Sequence, residues 1–177
     1  MIPLQGTHIR LRAPEPEDLQ WLYLWENQPD VWMASDTLVP FSRYHLRKYL
    51  EEMEMDPFKT RQIRFMIDLC KDPGTPVGTI DLFDFDPHHM RAGIGILVAS
   101  TTQRRRGYAS DALNTLLSYC RDVLMLHQVY CHIQASNQAS RRLFGGCGFV
   151  QSGTLQQWVR TPQGWEDQHI MQLILRP

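Results

Sequence analysis

The sequence lacks long apolar runs, paired cysteines and a strong charge of either sign. Only four of its 177 residues are cysteine, and no two of them form a Cys-x-x-Cys pair, so neither a zinc site nor a disulfide framework is expected. No stretch approaches the length of a membrane span, and the first residues have no apolar signal core. The net charge of −1 gives no sign of a nucleic-acid or membrane partner. These absences predict a cytoplasmic protein without a metal.

The remaining pattern predicts one α/β domain that covers residues 1–177. A hydrophobic fraction of 43% is enough for an ordinary core, and no repeat or linker divides the chain. Alternating and helical patterns follow each other in the order β-α-α-β-β-β-α-β-α-β-β. The central runs RQIRFMIDLC, VGTIDLFDFD and RAGIGILVAS are separated by the short turns KDPGTP and PHHM, which favours an antiparallel meander. Helices are expected to pack on this sheet.

The stretch TTQRRRGYASDAL, from Thr101 to Leu113, stands between a strand ending near Ala99 and a long helix beginning near Gly107. A helix start presents unpaired N–H groups and the positive end of the helix dipole, which attract anions. Glycine allows close approach of the backbone, and arginine adds forked donors for phosphate oxygens. The stretch therefore predicts a pyrophosphate site. A solvated basic helix start and a nucleic-acid patch are the alternatives, and the Walker and dinucleotide motifs are absent.

Several segments, in order, resemble the GNAT N-acetyltransferases. The run from Arg104 to Ala109 matches the acyl-CoA motif [QR]-x-x-G-x-[GA] of that family. VGTIDLFDFDPHHMRAGIGILV resembles its central hairpin, NQASRRLFGGCGF its later helix, and GWEDQHIMQLIL its last strand. Together these segments cover nearly all of the chain. The closest similarity is to the branch that holds spermidine acetyltransferases and the acetyltransferases of ribosomal-protein N-termini.

The resemblance implies a GNAT-type fold, with a mixed, largely antiparallel, twisted sheet and helices on both faces. The sheet would be splayed at the acetyl-CoA site, between the strand ending near Val98 and the strand at 129–133. The residues that would bind the cofactor are Ile96, Leu97 and Val98 along the pantetheine arm, Arg104, Arg105, Arg106, Gly107, Tyr108 and Ala109 around the pyrophosphate, and Asn137 and Phe144 on the later helix. Asn137 is also expected to cap that helix.

Two departures from the family pattern bear on catalysis. Many relatives carry a glutamate where this chain has Gly93, and many carry a tyrosine, as general acid, where this chain has Phe144, whose ring has no proton to donate. Ser140 lies one helical turn before Phe144 and is the candidate acid, while Asp81 is the candidate base. Strand alternation predicts that Asp81 faces away from Asp84 and Asp86. None of the four cysteines has an activating partner in the sequence.

The expected reaction is direct attack of a primary amine on acetyl-CoA. A polyamine such as spermidine is favoured because Glu26 and Asp36, together with Asp30, offer acidic groups near the region that the family uses to cover its substrate. A peptide N-terminus, as in ribosomal-protein acetylation, is the alternative acceptor. Because of Gly93 and Phe144, a CoA-binding module without catalysis also stays open. Relatives are often dimers, so a homodimer is one expected state.

Overall fold

The computed structural model of the chain describes residues 4–29, 31–32, 37–51, 57–99, 103 and 105–175. The strands in these ranges are β1 (Ile9–Arg12), β2 (Ile63–Leu69), β3 (Asp72–Asp86), β4 (Arg91–Val98), β5 (Gln128–Gln134), β6 (Val150–Thr161) and β7 (Gly164–Ile174). The helices are α1 (Leu19–Glu26), α2 (Arg43–Glu51), the short α3 (Pro57–Thr60), α4 (Tyr108–Asp122) and α5 (Gln138–Gly146). The predicted order of elements is confirmed, with α3 as an addition.

Helix boundaries in this chain follow local capping chemistry. The Ser42 hydroxyl accepts a hydrogen bond from the His45 amide before α2, at 3.1 Å. The Asn137 side chain accepts from the Ser140 amide at the start of α5, at 3.0 Å. Gly107 precedes α4 with a left-handed φ of 81°, which glycine adopts without steric cost. Two side-chain caps and one glycine therefore mark these helix starts, which could be predicted from the sequence.

The strands form one seven-stranded sheet in the order β1-β2-β3-β4-β5-β7-β6. Every neighbouring pair is antiparallel except β4 and β5, which run parallel. This confirms the mixed, largely antiparallel sheet of a GNAT-type fold. The single parallel pair is also where the chain crosses over through α4, as a parallel connection requires.

Helices cover both faces of the sheet. On one face, α4 and α5 bury a large core that includes Ile80, Ile94, Leu113, Leu116 and Val129. On the other face, α1 and α2 bury a smaller cluster formed by Leu22, Trp25, Leu46, Met66 and Ala99. Strand alternation in β4 divides its residues between the two faces, because Ile94 joins the first cluster and Leu97 packs on the second.

A carboxylate on α4 fixes the beginning of β1. The backbone amides of Thr7, His8 and Ile9 donate to the Asp111 side chain at 3.1, 2.6 and 3.1 Å. Gly6 leaves room for this contact, because a Cβ atom at that position would stand 2.5 Å from Asp111 Oδ1. Residues about one hundred positions apart are therefore joined at the first turn of α4.

The structure corrects the prediction that Asp81 faces away from Asp84 and Asp86. Asp84 has a positive φ of 48°, and the register between β3 and β4 shifts between Phe83 and Asp86. Leu82 and Phe85, three positions apart, are consequently both buried in the same core cluster. This β-bulge inserts one residue and reverses the alternation beyond it, so the three aspartates lie on the face opposite α4 and α5.

The segment KDPGTP is a turn only at its first residues. β3 already begins at Asp72, and Gly74 lies inside it with a φ of 88°. The register between β2 and β3 is irregular here, around Asp68. Glycine and proline thus mark a distorted strand end as well as a turn. None of the helices among the described residues has the length and apolar character needed to cross a membrane.

Candidate active site

The two parallel strands separate shortly after they meet. Their pairing covers Arg91–Gly93 of β4 and Gln128–Tyr130 of β5, and it ends there although both strands continue. On its other side β4 stays paired with β3 as far as Val98. We call the opening beyond Gly93 and Tyr130 the fork. The predicted residues Ile96, Leu97 and Val98 form its β4 edge, which confirms the splay expected between these two strands.

The N-terminus of α4 follows β4 and forms a second feature of the site. Arg105 and Gly107 both have left-handed backbone angles, with φ of 61° and 81°. No described side chain caps this helix end, so the first amides of α4, including those of Tyr108 and Ala109, have no partner within the helix. Arg105, Arg106 and Gly107 are exposed, and a Cβ atom at Gly107 would meet nothing within 4 Å. The arrangement suits an anion. Arg104 lies outside the described residues.

The start of α5 lies directly after β5, at the other side of the fork. Asn137 caps the helix by accepting from the Ser140 amide, and the Ser140 side chain is half-buried. Phe144 is buried in the core, where its ring meets Phe149 edge-on with centroids 5.0 Å apart. The helix therefore carries a hydroxyl group near the fork and an apolar ring one turn further along.

A buried arginine connects two of the predicted acidic residues. Arg64 of β2 donates from Nε and Nη2 to both oxygens of Asp81, at 2.7 and 3.1 Å, and from Nη1 to Glu26 Oε1 at 2.8 Å. Burial opposes the charge on Arg64, but the attraction of Asp81 and Glu26 outweighs it and raises the arginine pKa above its ordinary value. We call these three residues the Arg64 triad. Asp36 and Asp30, the other predicted acidic residues, lie outside the described residues.

Sequence reasoning missed Arg64 itself. In the sequence, Arg64 is the charged residue inside the otherwise apolar run Ile63–Ile67. It lies four positions before Asp68 and therefore on the same face of the strand. Such a residue needs a partner of opposite charge when it is buried. The identity of those partners was not readable, because Glu26 comes from α1 and Asp81 from β3.

The space that a side chain would take at Gly93 is filled by Phe83. A Cβ atom at Gly93 would stand 2.3 Å from the Phe83 ring. The ring also meets Tyr130 edge-on, with centroids 6.0 Å apart. At the base of the fork, an aromatic pair thus occupies the position where many relatives carry a carboxylate.

A surface cavity of about 580 Å³ adjoins the base of the fork, on the sheet face opposite α4 and α5. Its lining includes Asp84, Arg61, Tyr130 and His132. The Tyr130 hydroxyl donates to Asp84 Oδ2 at 3.3 Å. Burial, with the charge of Asp84 as a smaller cause, raises the pKa of Tyr130. None of these cavity residues was predicted as part of the site from the sequence.

Two of the four thiols are buried, and the described residues contain no group of metal ligands. Cys120 and Cys131 are buried, which raises the pKa of each to about 12. In the part of the chain that the structure describes, no three His, Cys, Asp or Glu side chains are grouped so that they could hold a metal ion. His88 and His89 lie in an exposed hairpin turn, where their amides donate to Asp86.

Comparison with known proteins agrees with this geometry. The acetyltransferase (GNAT) domain family matches residues 8–150. A spermidine N(1)-acetyltransferase of Vibrio cholerae is 25% identical over 150 residues, which is 85% of this chain and 83% of that protein.

Solved structures resemble the fold over nearly its whole length. The crystal structure of the Vibrio cholerae spermidine N-acetyltransferase in complex with CoA and spermine has a TM-score of 0.85, at 22% identity, over 96% of this chain and 97% of that one. A dodecameric structure of spermidine N-acetyltransferase from the same organism has a TM-score of 0.78, at 21% identity, over 96% and 95% of the two chains.

Proposed function

The chain belongs to the GNAT acetyltransferase family, and from this premise we propose that it acetylates a primary amine, with a polyamine such as spermidine as the favoured acceptor. The observation that carries the proposal is the combination of the fork between β4 and β5 with the uncapped, glycine-led N-terminus of α4. The first feature suits an extended amide-bearing chain, and the second suits a diphosphate. Acetyl-CoA contains both groups.

The residues present fit this cofactor. The backbone of Ile96, Leu97 and Val98 would hold the pantetheine arm at the β4 edge of the fork. The amides of 104–109 would bind the pyrophosphate, aided by the charge of the neighbouring arginines. Asn137 and Phe144 would complete the site from α5. When bound, acetyl-CoA supplies an activated acetyl thioester.

The chain's own residues must remove a proton from the amine and donate a proton to the leaving thiolate. An alkylamine has a pKa of about 10.4, so its neutral form costs about 4–5 kcal/mol near pH 7 and a base is useful. We assign this role to Asp81, which would have to exchange a hydrogen bond from Arg64 for the proton. Ser140 is the assigned donor toward the leaving thiolate, since Phe144 cannot fill that role.

The choice of acceptor rests on charge and on the relatives. The Arg64 triad places two carboxylates against one guanidinium on the sheet face opposite α4 and α5, and Glu26 and Asp36 are the proposed contacts of a cationic acceptor. The curated relative with 25% identity is a spermidine acetyltransferase. A peptide N-terminus is the alternative acceptor. The cytoplasmic location and the homodimer stay predictions, and a related enzyme forms a dodecamer.

A second candidate function is supported by two departures from the family pattern. Phe83 occupies the place of a side chain at Gly93, and Phe144 replaces a proton donor, so the domain could bind acetyl-CoA without catalysing transfer. It would then act as a sensor or an interaction module.

The deciding experiment measures thiol release from acetyl-CoA with a panel of amines. The panel contains spermidine, spermine, small diamines, aminoglycosides and peptides with ribosomal-protein N-termini. Release above the hydrolysis background, with an acetylated product identified by mass, is the expected result and identifies the acceptor class. Acetyl-CoA binding without release on any amine would instead favour the non-catalytic module.

A further inference from the structure

The cavity shares residues of β5 with the fork, where the reaction is proposed to take place. Tyr130 lines the cavity and is also the last residue of β5 that pairs with β4, opposite Gly93. His132, two residues further along β5, lines the cavity as well and lies beyond the point where the strands separate. A molecule in this cavity therefore lies next to the fork, on the sheet face that α4 and α5 do not cover.

Asp84 differs from the other acidic residues of this face in its partners. Both oxygens of Asp81 accept from Arg64, and Asp86 is paired with Arg91 at 3.2 Å. Asp84 is exposed, and in the described ranges its contact is the neutral Tyr130 hydroxyl at 3.3 Å. The bulge at its own position turns it toward the cavity. Of these three aspartates, Asp84 is thus the one whose carboxylate has no ion-pair partner among the described residues.

Arg61 gives the same cavity a positive charge. Its Nε donates to the Phe85 carbonyl at 3.3 Å, and no described carboxylate lies within ion-pair distance of it. The cavity accordingly presents one uncompensated negative and one uncompensated positive group. An ammonium group would be attracted by the first and repelled by the second.

We propose that this cavity holds the non-reacting end of the acceptor, beyond the contacts assigned to Glu26 and Asp36: the Asp84 carboxylate binds a primary ammonium group there, and Arg61 weakens the binding of molecules with several cationic groups. The inference rests on the proposed function, because it assumes that the ligand is an amine. It adds a specificity mechanism: the balance of these two charges sets the affinity for a polyamine relative to a monoamine.

The test is calorimetric titration of spermidine into the full chain, with and without CoA, so that no turnover is needed. Asp84→Asn should weaken spermidine binding about threefold to fivefold, and Arg61→Gln should tighten it by a similar factor, as befits exposed charges. Asparagine keeps an acceptor for the Tyr130 hydroxyl and tolerates the left-handed backbone, so the fold should survive.

Matched controls separate charge from structure. Arg61→Lys retains the positive charge and should bind spermidine like the wild type, as should Asp72→Asn, which makes the same change at an exposed position of β3. An unchanged affinity in Asp84→Asn, effects of Asp84→Asn and Arg61→Gln in the same direction, or a wild type that binds acetyl-CoA but no spermidine would each overturn the inference. Binding of spermidine through Asp84 without any acetyl transfer would instead refute the proposed function and leave the subsite intact.

Discussion

Substitution of Gly107 by glutamate tests the pyrophosphate site most directly. The glycine precedes α4 with a φ of 81°, and a Cβ atom there would meet no heavy atom within 4 Å. The glutamate side chain would therefore extend into open space without preventing folding. Its charge would stand where the diphosphate is proposed to bind. We expect a folded protein with weakened affinity for acetyl-CoA.

The size of the effect can be estimated from two separate terms. A non-glycine residue in the left-handed region costs about 1–2 kcal/mol, which for a chain of this length lowers the melting temperature by about 2–8 °C. A glutamate about 6 Å from two phosphate charges adds about 1.4 kcal/mol of repulsion even in bulk water, and more at lower dielectric. Affinity for acetyl-CoA should thus fall at least about tenfold.

Gly107→Gln is the matched control, because it has the same shape and backbone strain without the charge. Calorimetric titration with acetyl-CoA, alongside thermal melting of both variants, distinguishes the two terms. The melting temperatures should fall equally, whereas the affinity should fall further for glutamate than for glutamine. Equal affinities of the two variants would mean that the diphosphate does not bind at the start of α4.

Three further outcomes are expected. Ser140→Ala should lower kcat about a hundredfold while leaving acetyl-CoA affinity unchanged, and an unchanged rate would exclude Ser140 as the proton donor. Asp111→Asn should lower the free energy of unfolding in urea by about 1–3 kcal/mol, since an NH2 group replaces the Oδ2 atom that accepts from the His8 and Ile9 amides; an unaltered midpoint would show that the contact is dispensable. Burial raises the pKa of Cys120 and Cys131 from 9.0 to about 12, so the stability they contribute is complete below pH 9 and is lost as the pH rises toward 12. At pH 8 a thiol reagent should label the exposed Cys70 first and both buried thiols only on unfolding; rapid labelling of all would contradict their burial.

Helices and strands that begin or end at residues with a clear local signal, such as a cap or a turn, could be predicted from the sequence. Ser42 and Asn137 cap the helices that follow them, and Gly107 marks the start of α4 by its left-handed backbone. The meander of β2, β3 and β4 follows from alternation and short turns. The fork was expected only through resemblance to a family, because nothing in a single strand specifies where it leaves its neighbour.

The bulge at Asp84 and the Arg64 triad could not be predicted. A bulge depends on how β3 aligns with β4, and one inserted residue reverses every side chain beyond it. The triad brings together residues from α1, β2 and β3, which the sequence separates by up to 55 positions. Glu26 and Asp81, predicted as an acceptor contact and as the base, both accept hydrogen bonds from Arg64, and their predicted roles stay predictions.

The pairing of β4 with β5, which joins the two halves of the sheet, has the fewest paired residues of any neighbouring strands described. Three residue pairs join the half formed by β1 to β4 with the half formed by β5, β7 and β6, whereas β5 and β7 share seven pairs. Fewer cross-strand hydrogen bonds hold the amides between β4 and β5, so less structure has to open before they exchange with solvent.

A ligand bound in the fork would change this order of exchange. A chain lying between the strands and bonded to both would supply the rungs that the sheet lacks, and its binding free energy would add to the resistance of the native state. We therefore expect the amides along β4 and β5 to exchange before those of the other central strand pairs, and a ligand bound in the fork would take the place of a strand.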